Sequence, residues 1–166
     1  MLPTSLAVAL VALAAPAAPA EKESDRARAL VAEFLTPGAD HAALTRALRP
    51  SPEDFRAVFE GDAAARAERS YAAAWDGGKM LVAPRPGQTE LKLAGATTED
   101  LRQGSGGARE FPGGWAKAAP FLKKGLTFYR FKFVEPGKDL GMSFDGLAFV
   151  NGRWVIFPKP WRALEK

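Results

Sequence analysis

Few side chains in this sequence could carry chemistry alone. There is one histidine, His41, and no cysteine. That excludes a cysteine nucleophile, a thiolate zinc site, an Fe–S cluster, a disulfide and a multi-histidine metal centre. No cofactor is expected. The first constellation of interest is Arg130 with Asp145. A guanidinium facing a carboxylate in apolar surroundings can anchor an anionic ligand, or simply tie two strands together. Tyr71 and Trp75 stand four apart near the end of a predicted helix, just before Asp76. That spacing lets two aromatics line a pocket mouth, and serves core packing equally well. His41 has the ordinary pKa of a general base, but no acid or nucleophile pattern lies beside it, and it reads as a surface or capping residue. Gly104-Ser105-Gly106-Gly107 lacks the residues that complete a phosphate loop and reads as a flexible connection. No nucleophile elbow, zinc-protease helix or calcium loop is present.

These residues must be positioned by a fold whose two halves differ in texture. Of 166 residues, 47% are hydrophobic and 25% charged, which excludes a disordered chain, a collagen and a coiled-coil rod. Residues 21–76 carry apolar groups at helical spacing. Helices are predicted over 26–35, 41–48, 52–59 and 63–75, with Asp40, Ser51 and Asp62 as caps and Pro52 at a first helical position. From Lys79 onward, strands are predicted over 79–83, 90–93, 126–135, 140–150 and 153–157, with short helical turns at 98–101 and 115–122. Asn151-Gly152 is the strongest hairpin signal in the chain. Helices first and antiparallel strands after indicate an α+β fold: N-terminal helices on one face of a bent antiparallel sheet, closed by a C-terminal Asn-Gly hairpin.

A two-residue turn at Asn151-Gly152 places Phe149 opposite Trp154 and Leu147 opposite Ile156. A four-residue loop at 136–139 pairs Glu135 with Leu140. One face then holds Tyr129, Phe131, Phe133, Met142, Phe144, Ala148, Val150, Val155 and Phe157. The other holds Phe128, Arg130, Lys132, Ser143, Asp145, Leu147, Phe149, Trp154 and Ile156, with Arg130 opposite Asp145. This mixed face needs a cover: another segment, a ligand, or a second copy of the chain. Its candidate binding or interface residues are Arg130, Lys132, Ser143, Asp145 and Trp154, joined by Tyr71 and Trp75.

Residues 1–20 read as a leader. No charged side chain precedes Glu21, an apolar run spans Leu6–Ala15, and Ala18-Pro19-Ala20 supplies small residues for cleavage. The run is too short to span a bilayer. A single domain over 21–166, periplasmic or secreted, without a membrane span after cleavage, is therefore expected. Residues 107–166 carry eleven Lys or Arg against five Asp or Glu. The cations are dispersed, which favours a solvated surface, and an exported protein is not expected to bind nucleic acid.

A helical layer followed by a long bent antiparallel sheet, over about residues 60–146, resembles the cystatin-like, nuclear-transport-factor-type cone fold. The stretch Phe144–Arg162 is similar to the closing hairpin of small exported bacterial proteins of unknown function. The resemblance implies a pocket between helices and sheet and no particular activity, since such folds host isomerases, dehydratases, ligand binders and dimerisation modules. The acid–base pair of the enzyme members, His with Asp or Tyr, has no match in this sequence. The residues favour an exported domain that binds a small ligand or a protein partner, with self-association as one way to cover the mixed face. Two alternatives stand: an acid–base enzyme using Asp145 or Asp76 in an apolar cavity, and a binder of anionic envelope polymers. An enclosed acid whose pKa is raised distinguishes the enzyme reading; a firm Arg130–Asp145 pair counts against it.

Overall fold

The computed structural model describes residues 19–165, with side chains from Lys22 onward. Residues 1–18, most of the expected leader, lie outside the described residues. The fold is α+β: helices, then an antiparallel four-stranded meander in the order β1-β2-β3-β4.

Helix α1 (Pro19–Ala32) continues into a 3-10 turn, Glu33–Leu35. It begins N-terminal to the expected span, and Pro19 occupies its first position, where a missing N–H costs nothing. The expected cleavage position therefore falls in its first turn. Helix α2 (His41–Ala47) is capped by the Asp40 carboxylate, which accepts from the Ala43 N–H. Helix α3 (Pro52–Val58) opens with a reciprocal capping box between Ser51 and Asp54. Helix α4 (Ala63–Asp76) buries Ala63, Ala64, Ala67 and Tyr71 along one face.

Strand β1 (Glu90–Thr97) is longer than the predicted 90–93. Thr97 and Asp100 then form a second capping box that starts α5 (Thr98–Gln103). Helix α6 (Trp115–Ala118) precedes β2 (Thr127–Val134), β3 (Gly141–Val150) and β4 (Arg153–Ile156). A final helix, α7 (Pro160–Leu164), is absent from the sequence reading. The predicted strand 79–83 does not form. Thr45 holds this segment instead: its hydroxyl accepts from the Val82 N–H at 3.0 Å and approaches the Val82 carbonyl at 3.4 Å. A side chain takes the place of a ladder.

The hairpin register is as expected, Val150 to Arg153 and Leu147 to Ile156. Asn151 and Gly152 both have positive φ, 49° and 77°, as this turn type requires. The four-residue loop also stands, with Val134 opposite Gly141 and Phe131 opposite Phe144. Between that pair and Tyr129–Leu147, β3 carries one residue more than β2. Arg130 thus faces a bulge, Asp145-Gly146. Gly146 has φ +84°, and a Cβ there would lie 2.1 Å from the Phe157 carbonyl oxygen. No other residue fits.

The bulge corrects the predicted sorting of faces. An extra residue moves every later side chain of β3 across the sheet. Tyr129, Phe131, Phe133, Met142 and Phe144 share their cluster with Leu147, Trp154 and Ile156, under Ala27 and Val31 of α1 and Phe34. Ala148, Val150, Val155 and Phe157 join Phe128 on the opposite side, against α3, α4, α6 and α7. Phe157 is the hub of that second cluster, with Phe55, Phe59 and Tyr71 edge-on around it. Burying such a side chain contributes about 2–3 kcal/mol. The chain itself supplies the cover that the sheet needs.

Candidate functional site

β4 pairs with β3 only from Leu147 to Val150. Beyond the bulge, residues Gly141–Asp145 have no β4 neighbour, because the chain turns away at Pro158. The space beside this strand edge is a cleft of about 440 Å³. Its walls are the C-terminal half of α4 (Ser70, Tyr71, Ala74, Trp75), the segment Lys79–Val82, the β3 edge, and Pro158–Lys159 with Arg162.

Asp145 lines this cleft and is 5% exposed. One carboxylate oxygen accepts the Lys159 backbone N–H at 2.8 Å. Burial pushes its pKa above the ordinary aspartate value, against the Lys159 N–H, the Trp115 side chain and the nearby cations Lys159 and Arg130. The Trp115 indole N–H is close enough to favour the carboxylate's charge, yet it makes no hydrogen bond of ordinary geometry. Lys159 reaches its position with φ 52°, a left-handed conformation in a residue with a side chain. The neighbouring Tyr71 is buried, and its hydroxyl donates to the Pro158 carbonyl at 2.8 Å. Burial, and then the charge of Asp145, raise the Tyr71 pKa well above its usual value. Tyr71 is therefore a neutral donor throughout the physiological range.

The sequence-predicted site residues divide between three places. Tyr71, Trp75, Ser143 and Asp145 line this cleft. Arg130 and Lys132 lie instead in a groove on the sheet with Lys92, Glu110 and Asp139. Arg130 makes no ion pair with Asp145; the described ion pairs are Arg49–Asp76, Arg56–Glu53, Arg66–Asp62, Lys92–Asp139 and Arg153–Asp54. Its guanidinium donates to the Glu110 carbonyl. Trp154 stands away from both places, edge-on to Tyr129 and tilted against Phe149, whose ring lies under the Arg26 guanidinium. Asp76 is paired with Arg49 at the surface. His41 bonds the Phe34 carbonyl at 2.8 Å and stacks on the Phe34 ring, a structural role.

Sequence reading missed Lys79, Lys159, Arg162 and Trp115. The signal for Lys159 was its place between Pro158 and Pro160, which fixes the chain on both sides. The signal for the bulge was a glycine inside a strand pattern.

No protein family, curated protein or solved structure matches the chain. Among the described residues, no group of three His, Cys, Asp or Glu is placed to hold a metal ion. No helix among them is long and apolar enough to cross a membrane.

Proposed function

We propose that this chain binds a small molecule in the cleft along the open edge of β3, with Asp145 as the buried polar group that reads it. One observation carries the proposal: a buried carboxylate on the wall of a cleft, with one of its oxygens on a backbone N–H and no cation within ion-pair distance. Such a group is costly to bury and is retained where it meets something. Binding takes place outside the cytoplasm in this proposal, on the strength of the uncharged apolar leader. The cone-fold resemblance is compatible with a pocket walled by helix and sheet.

The enclosure and raised pKa of Asp145, without an Arg130 partner, favour a second reading. In it, Asp145 exchanges a proton with a bound substrate, as in an isomerase or dehydratase, and neutral Tyr71 lies beside it.

The chain provides its own reporters. Its methionines are Met1, Met80 and Met142, and two of them line the cleft. A fragment library screened by methyl NMR on the full chain should yield binders that shift Met80 and Met142 and leave Met1 unmoved. Binders that shift neither cleft methyl, or a library without a single binder, would overturn the proposal.

A further inference from the structure

The composition of the cleft wall narrows the class of molecule that fits it, on the reading that the cleft is a binding site. Three cations stand on this wall: Lys79 beyond the end of α4, Lys159 beside the bulge, and Arg162 on α7. None of them meets a carboxylate within 4 Å among the described residues. The single acid on the wall is Asp145, which is buried and turned toward the Lys159 N–H. The wall also presents apolar side chains that are at least partly exposed, chiefly Trp75, Met80 and Leu81.

We infer that the cleft takes an amphiphilic anion, with its apolar body along Trp75, Met80 and Leu81 and its acidic head among Lys79, Lys159 and Arg162. Burying the body supplies most of the affinity, in proportion to the area removed from water. The head supplies orientation and selectivity. Arg162 can hold a carboxylate or a phosphate through two parallel N–H bonds, and the lysines add point charges beside it.

The test uses the full chain and a set of decyl-chain probes below their micellar concentrations: decanoate, decanol, decyltrimethylammonium and monodecyl phosphate. Affinities are read from the Met80 and Met142 methyl signals. Decanoate or decyl phosphate should bind at least about tenfold more tightly than decanol, and whichever binds better identifies a carboxylate or a phosphate head. Lys159→Gln with Arg162→Gln should remove that advantage and leave decanol binding unchanged. Neither side chain is part of the core, so the double variant should fold. Equal binding of decanol and decanoate, or preference for the ammonium probe, would overturn the anion assignment while leaving the cleft a binding site. Silence of both cleft methyls with every probe would remove the assignment, and together with a fragment library empty of binders it would remove the cleft reading as well.

Discussion

Two buried aspartates, Asp54 and Asp145, mark two regions of the same hairpin and are treated in opposite ways. Asp54 is 1% exposed, just beneath the surface. Its carboxylate accepts from the Ser51 N–H at 2.8 Å, the Asn151 amide at 2.8 Å and the Arg153 guanidinium at 2.7 Å. Burial alone would raise its pKa, but these donors outweigh burial and lower it. Asp145 is buried to nearly the same degree, has one backbone donor and a nearby indole that makes no hydrogen bond of ordinary geometry, and its pKa is raised. The first carboxylate is a joint: it caps α3 and clamps the Asn151-Gly152 turn onto it. The second opens onto a cleft. Burial alone does not separate a structural acid from a functional one; the count of donors around it does.

The largest effect should come from breaking the joint. Asp54→Ala removes the cap, the turn clamp and the Arg153 partner together, and should cost about 3 kcal/mol in urea denaturation. A loss under about 1 kcal/mol would mean that the clamp contributes little and that the contrast with Asp145 is weaker than the geometry suggests. Asp145→Asn is the sharper comparison. Asparagine keeps an oxygen for the Lys159 N–H and removes the buried charge. At neutral pH, stability should change by less than about 1 kcal/mol, in the stabilising direction.

The two residues should also leave opposite marks on the pH dependence of stability. Asp145 holds its proton more firmly when folded than when unfolded. Its contribution is full below the ordinary aspartate value of 3.8 and is lost as pH rises from there through its raised folded value. Asp54 holds its proton less firmly when folded. Its contribution is full above 3.8 and is lost as pH falls through its lowered folded value. Denaturation series at several pH values should show Asp145→Asn flattening a decline above pH 3.8, and Asp54→Asn flattening a decline below it. Identical curves for Asp145→Asn and the parent chain above pH 3.8 would refute the raised pKa.

The same contrast explains how far the sequence could be read. The Asn151-Gly152 hairpin and the 136–139 loop were legible because turn chemistry is local and alternation over eight to ten residues admits one register. The switch of faces was not, because it depends on one residue, Gly146, leaving the β region, and alternation counted through it gives the wrong side. Asp145 was legible as a candidate; its setting was not, since that comes from Trp115, from Lys159 and from where β4 ends. In the sequence Asp54 is simply one of two acids, with Glu53, in the first turn of α3. Its decisive partners Asn151 and Arg153 are nearly a hundred residues away, and spacing carries no information about such contacts.

The smallest effect probes the link between the bulge and the mouth of the cleft. Lys159 adopts a left-handed conformation that costs a side-chain-bearing residue about 1–2 kcal/mol, and its N–H holds Asp145. Glycine accepts that conformation freely but loses more backbone entropy on folding, by about 0.5–1 kcal/mol. Lys159→Gly should therefore stabilise the chain by about 0.5 kcal/mol, keep the N–H on Asp145, and weaken decanoate binding through the lost ammonium. Stability and affinity then move in opposite directions in one variant. A residue present only to shape the backbone would gain stability and lose no affinity, so that outcome would limit Lys159 to holding Asp145 through its N–H and remove its side chain from the cleft's binding role.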